Sequence, residues 1–186
     1  LKAWSLYVLS TAKNTKLKGK FVDTSVTQDF LKDVARLSFL GDGPKLAVEH
    51  LSKHGIHLIY APHLSKTYLD GAVFMLPSGA PVIGLTIRYD RIDNFWFTLL
   101  HELAHLGRHF KGKDTGAFFD DHSLRKESKL NEDDQEFEAD EWAENALISI
   151  KDWEDLNKSG IPSVGRVLDL SLKSSIHPAI IAGRIR

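Results

Sequence analysis

Cysteine is absent from the 186-residue chain, and its absence excludes several kinds of chemistry at once. Without thiols there are no disulfides, no thiolate zinc sites and no cysteine nucleophile, and the composition fits a reducing compartment. Long apolar runs are missing too, since none approaches the roughly 20 residues that a membrane-spanning helix needs. The N-terminus also lacks the pattern of a secretory signal peptide. We therefore expect a cytoplasmic protein that does not associate with membranes.

An excess of charge of one sign is likewise missing. The chain has 24 Lys and Arg against 25 Asp and Glu, for a net charge of −1. No overall positive field exists to attract nucleic acid, so direct nucleic-acid binding by this segment is not expected. With 42% hydrophobic residues the chain can bury one core, which predicts a single domain over 1–186. Residues 1–26 are expected to form an N-terminal helical extension or a linker from a missing DNA-binding domain, since the chain begins at Leu1 as a fragment or processed product would.

Hydrophobic spacing predicts helices on both sides of a small sheet. Helices are expected at 3–13, 27–39 and 44–54, at about 90–109 with Asp90 or Asp93 as its N-cap, at 132–150, at 163–173 and from 178. Strands are expected at 56–61, 71–76 and 81–87. A further short strand is expected at 117–119, within a long polar loop over 111–131. A hairpin turn joins the second and third strands. This order predicts an α+β domain with a mostly antiparallel three-stranded sheet.

The segment Phe95–Phe110, FWFTLLHELAHLGRHF, places polar residues where a helix should be buried. Its HELAH core is an H-E-x-x-H motif. Two histidines four apart lie on one face of a helix, so His101 and His105 can bind one metal ion. Glu102, about 100° further round the helix, can then act as general base toward a water that zinc has acidified. The alternative is an ordinary core in which these polar groups satisfy one another, but a cation offsets their desolvation better.

A catalytic zinc site usually has three protein ligands, so a third must be found. His109 is eight residues from His101, about 12 Å along the helix axis. As long as the helix continues, this distance excludes His109 as a ligand of the same metal ion. The acidic helix at 132–150 turns Ala139, Ala143, Ala146, Leu147 and Ile150 inward, and Glu136 lies within that arc. Glu136 is therefore the expected third ligand. Asp140, one turn on, is placed to hold a ligand histidine by its free N–H, with Glu138 and Glu132 as weaker alternatives for the ligand.

These segments resemble the ImmA/IrrE family of metallopeptidase domains. The resemblance is carried by RYDRIDNFWFTLLHELAHL (88–106), FFDD (118–121), EFEADEWAENALI (136–148) and HPAIIAGRIR (177–186). It is closest to versions fused to a helix-turn-helix domain in HigA-like antitoxin or repressor proteins. The resemblance implies a zincin-like fold with zinc on His101, His105 and Glu136, and Glu102 as base. The family often has the tripeptide Leu-Ile-Pro after its second ligand-bearing helix, where this chain has Leu147-Ile148-Ser149. The missing proline suggests that the acidic helix runs further here.

Two functions follow from this reading. The first is a zinc-dependent endopeptidase that cleaves a regulatory protein such as a transcriptional repressor, with the strand at 81–87 pairing with an extended substrate. Tyr89, Arg88 and His177 are candidates to contact the substrate or the transition state, although a structural role suits each of them better. The alternative is a non-catalytic metal- or ligand-binding sensory module of a helix-turn-helix regulator or antitoxin. Zinc is the expected metal, and the same donors accept Mn²⁺ or Fe²⁺.

Overall fold

The fold was obtained as a computed structural model that describes residues 2–63, 69–86, 91–110, 118–119 and 131–185, with backbone alone at 118–119 and 131–133. Two of the predicted contact residues, Arg88 and Tyr89, lie outside these ranges, as does the side chain of Glu132. None of the described helices is long and apolar enough to cross a membrane.

Helices enclose a small sheet, as expected for an α+β domain. The helices of the described ranges are α1 (Lys2–Lys13), α2 (Gln28–Arg36), α3 (Gly43–Lys53), α4 (Ile92–Arg108), α5 (Asn131–Leu147), α6 (Ile150–Asn157), α7 (Val164–Ser174) and α8 (Pro178–Ile185), with a short 3-10 turn at Leu37–Phe39. The strands are β1 (His57–Ala61), β2 (Gly71–Met75), β3 (Pro81–Thr86) and β4 (Phe118–Phe119). Thr27 caps α2 by accepting a hydrogen bond from the Phe30 amide, which is why the helix starts there.

The sheet is mixed, with strand order β1-β3-β2-β4. β3 pairs with β2 in antiparallel fashion through a tight turn in which Gly79 has a positive φ of 81°. β1 lies parallel to β3 on the other side, and β4 pairs with β2 at Ala72 and Val73. The expectation that the third strand binds an extended substrate is wrong, because β3 lies between two strands and both of its edges are already hydrogen-bonded.

The sheet separates two apolar clusters. On one face α1 packs Trp4, Val8 and Ala12 against strand side chains such as Phe74. Gly84 allows this contact, since a Cβ there would lie 2.7 Å from Trp4 Cη2. The other face joins the larger core, in which α2, α3, α4 and α5 meet. The sheet thus supports α4, the helix that carries the H-E-x-x-H motif, from one side.

The end of α5 differs from the prediction of a single helix to residue 150. α5 ends at Leu147, and Ser149 begins α6 by accepting a hydrogen bond from the Asp152 amide. The departure from LIP at this point therefore does not lengthen the helix. Ile150, assigned to the inward face of one continuous helix, opens α6 instead and is 55% exposed. The apolar spacing favours one continuous helix, but the Ser149 cap starts a new helix at this point.

The start of α4 also differs from the prediction. Arg91 occupies the N-cap position and makes no side-chain capping bond. Asp93, one of the two expected caps, lies inside the first turn, where the Arg91 Nε donates a 3.0 Å hydrogen bond to its carboxylate. The hydrogen bond from Arg91 holds the pKa of Asp93 below its usual value, although partial burial opposes the shift. The other expected cap, Asp90, lies outside the described residues.

Candidate metal centre

Two packed helices form the site. α4 is buried around most of its circumference, including His101, Glu102 and His105, which are 4%, 1% and 1% exposed. α5 faces it with Ala139 and Ala143, both fully buried. Small side chains at a helix contact allow two helix backbones to approach closely. The close approach brings the first half of α5 within side-chain reach of the histidines.

The three predicted ligands converge. His101 Nε2 lies 2.9 Å from His105 Nε2, and each histidine also approaches the Glu136 carboxylate. The distances are 3.3 Å from His101 Nε2 to Glu136 Oε2 and 3.3 Å from His105 Nε2 to Glu136 Oε1. Among the described residues, this is the group of histidine and carboxylate side chains close enough to hold a metal ion, with all its ligand atoms within 4.8 Å of one another.

This donor set fits a metal ion. Each imidazole Nε2 lies 3.3 Å from one oxygen of the Glu136 carboxylate, His101 from Oε2 and His105 from Oε1, so the carboxylate faces both histidines. Two imidazole nitrogens and a carboxylate oxygen are ordinary zinc ligands and leave a fourth position for water or substrate. The chain therefore contains a buried His–His–Glu group that could hold a metal ion.

Asp140 lies behind His101. Its Oδ1 is 2.8 Å from His101 Nδ1, so the imidazole can donate a hydrogen bond to this carboxylate while its Nε2 faces the cluster. This is the position expected for a residue that orients a metal-binding histidine. Burial by itself raises the pKa of the Glu136 carboxyl. Hydrogen bonds from His101 and His105 lower that pKa by more than burial raises it, so the net pKa of Glu136 lies below its usual value. Glu136 is thus held as an anion.

Glu102 lies against the sheet. A Cβ placed on Gly71, the first residue of β2, would be 2.4 Å from Glu102 Oε1 and 2.8 Å from its Cγ. The missing side chain of Gly71 therefore makes the space that the Glu102 carboxylate occupies. Gly71 was not among the predicted site residues. A glycine opening a buried strand indicates close approach of another group, but the sequence does not show which group approaches.

His109 and Glu138 make contacts that the sequence did not predict. His109 is absent from the ligand cluster, as helix geometry required, but its Nδ1 lies 3.0 Å from His105 Nδ1. Its Nε2 lies 3.3 Å from Glu138 Oε2. Burial lowers the pKa of His109, while the hydrogen bond to Glu138 opposes the shift. The spacing of His101, His105 and His109 at four-residue intervals was the available signal for this arrangement.

The remaining predicted site residues are placed elsewhere or not described. His177 lies at the start of α8, where its Nδ1 accepts a hydrogen bond from the Ala179 amide and its own amide donates to Ser38 Oγ. Those contacts assign it a structural role in helix capping. Glu138 does not join the candidate ligands. Arg88, Tyr89 and the side chain of Glu132 lie outside the described residues.

Comparison with known proteins adds no family assignment: no protein-family model matches the chain, and no curated protein matches it significantly. The resemblance to the ImmA/IrrE domains stays a prediction.

Proposed function

We propose that the chain is a zinc-dependent endopeptidase of the ImmA/IrrE type that cleaves a regulatory protein such as a transcriptional repressor. The observation that carries this proposal is the buried group of His101, His105 and Glu136 with Glu102 beside it on the same helix. The class of substrate rests on the family resemblance.

The metal would supply two effects when bound: it lowers the pKa of a water molecule and polarises a peptide carbonyl. The protein supplies the rest. His101, His105 and Glu136 would hold the ion. Asp140 would keep the Nδ1 proton on His101, so that the Nε2 lone pair faces the ion.

Glu102 would act as general base. It would take a proton from the attacking water and return it to the amine of the leaving peptide, as a positioned carboxylate can. Its side chain is 1% exposed and lies against Gly71, so bulk water competes little for that proton. Because it neighbours His101 in sequence without joining the ligand cluster, it can work beside the metal rather than on it.

The proposal is tested with Glu102→Gln, which keeps the shape of the side chain and removes its basicity. Wild-type protein loaded with zinc is incubated with a peptide library, and new termini are detected by mass spectrometry. Glu102→Gln should lower cleavage by about 10²–10⁴-fold, the usual contribution of a general base. Zinc content and melting temperature should stay at wild-type values.

The outcomes separate the competing functions. Equal cleavage by Glu102→Gln would contradict its role as base. A wild-type protein that retains stoichiometric zinc but cleaves no peptide and no candidate repressor would favour the sensory-module hypothesis. A wild-type protein that binds no metal would contradict both hypotheses in their metal-dependent form.

A further inference from the structure

The two histidines of the cluster differ in what contacts their outer ring nitrogens. His101 Nδ1 lies 2.8 Å from a carboxylate, that of Asp140. His105 Nδ1 lies 3.0 Å from another imidazole, the Nδ1 of His109. A histidine that binds a metal through Nε2 carries its proton on Nδ1, and the partner of that proton sets the orientation of the ring. The partner of His105 is therefore part of the site.

The direction of the hydrogen bonds follows from metal binding, because a histidine that binds a metal through Nε2 presents a lone pair there. With a metal ion on its Nε2, His105 would donate from Nδ1, so His109 would accept at Nδ1. A neutral imidazole that accepts at one nitrogen carries its proton on the other. The proton of His109 would then be on Nε2, which lies 3.3 Å from Glu138 Oε2. In the metal-bound site the chain of donors would run from His105 through His109 to Glu138.

Contacts at the end of α4 hold this chain in place. The side chain of His109 is 6% exposed, and its backbone amide donates a 2.9 Å hydrogen bond to the His105 carbonyl. Arg108 Nη2 donates a 3.1 Å hydrogen bond to the same Glu138 oxygen, and its guanidinium lies 5.2 Å from the centre of the Trp142 ring. The carboxylate of Glu138 is therefore held between two donors from α4.

We propose that His109 and Glu138 are positioning residues that fix the tautomer and orientation of His105 for metal binding. The inference rests on the metal site of the proposed function and extends it beyond the three ligands. Asp140 serves His101 directly, whereas His105 reaches its carboxylate through an intervening imidazole. Both ligand histidines then have an anionic acceptor on α5, the helix that also supplies Glu136.

The test is the zinc dissociation constant, measured by competition with a chromogenic chelator. His109→Leu removes the acceptor of the His105 proton and should weaken zinc binding by about 10–100-fold, the usual effect of losing such a partner. His109→Asn retains an oxygen that can accept this hydrogen bond, so it should restore part of the affinity. Glu138→Ala should also weaken binding, while the exposed Glu141→Ala on the same helix should not.

Two further readouts separate positioning from a general loss of structure. The side chain of His109 is buried, whereas that of Glu138 is partly exposed, so Glu138→Ala is the substitution that disturbs packing less. Its melting temperature without metal should match that of Glu141→Ala. The visible absorption of the Co²⁺-substituted protein should shift in His109→Leu and Glu138→Ala, because the ligand geometry changes. Wild-type zinc affinity and an unchanged cobalt spectrum in both variants would overturn the inference and leave the metal site standing. A wild-type protein that binds no zinc would overturn both.

Discussion

Asp140 Oδ1 lies 2.8 Å from His101 Nδ1, so the helix that supplies Glu136 also holds the first histidine of the cluster from behind. The Asp140 side chain is 52% exposed, and its removal should therefore cost the fold little. Asp140→Ala should weaken zinc binding by about 10–100-fold because the His101 ring loses the acceptor of its Nδ1 proton. Zinc titration checks this, with the exposed Asp134→Ala as control. Equal affinity in the two variants would mean that Asp140 does not orient His101.

Loss of Glu136 should have a larger effect than loss of its neighbours. Glu136→Ala removes a candidate ligand outright, so zinc affinity should fall by more than about 100-fold, beyond the loss expected for outer partners. Metal analysis of purified wild-type and variant proteins measures this. Glu141→Ala, five residues further along α5, should keep the wild-type metal content. Undiminished metal in Glu136→Ala would contradict the three-ligand assignment.

Zinc binding to the folded state should also stabilise it. At a free zinc concentration 100 times the dissociation constant, binding contributes about 2.7 kcal/mol. Chelation should therefore lower the melting temperature of the wild type but not that of Glu136→Ala. Calorimetry with and without a chelator provides the measurement, and an equal response of the two proteins would contradict it.

Gly71 should be required for the position of Glu102. In Gly71→Ala the new Cβ would lie 2.4 Å from Glu102 Oε1, so the buried carboxylate must move. We expect peptide cleavage to fall by about 10-fold or more, a part of the full contribution of a general base, while zinc affinity stays near wild type. Gly41→Ala is the matched control, since a Cβ there would meet nothing within 4 Å. Wild-type cleavage by Gly71→Ala would show that Glu102 tolerates displacement.

Ser149 should stabilise the domain as the cap of α6. Its Oγ accepts a 3.2 Å hydrogen bond from the Asp152 amide and donates a 2.7 Å one to the Asp152 carboxylate. Ser149→Ala should reduce the free energy of unfolding by about 1 kcal/mol, as N-cap substitutions commonly do. Urea unfolding measures this, with Ser78→Ala in the exposed β2–β3 turn as control. If the two substitutions have equal effects, the cap contributes no more than a surface serine.

Local patterns predicted the elements that depend on local interactions. The apolar spacing of α4 and the glycine-containing turn before β3 are properties of short segments, and both were found close to their expected places. The four-residue spacing of His101 and His105 placed two imidazoles on one helical face, which needs no tertiary information. The inward arc of α5 selected Glu136 over Glu138 as the residue nearest the histidines.

Where two local signals compete, the hydrophobic spacing predicted the helix boundaries less well. The apolar residues from Ala139 to Ile150 favour one long helix, yet Ser149 and Asp152 form a cap that starts a new one. The order of the strands in the sheet could not be predicted from the sequence either. The insertion of β3 between β1 and β2 depends on how the sheet packs between α1 and α4, so no single segment encodes it.

The sequence by itself determined that His101, Glu102 and His105 share one buried helix, because a period of 3.6 residues and an apolar context are written into the chain. Only the tertiary structure decided what meets them. Gly71 reaches Glu102 from a strand 31 positions earlier, and Glu138 reaches His109 from a helix 29 positions later. Such contacts depend on the packing of helices and sheet, since no local periodicity relates residues so far apart.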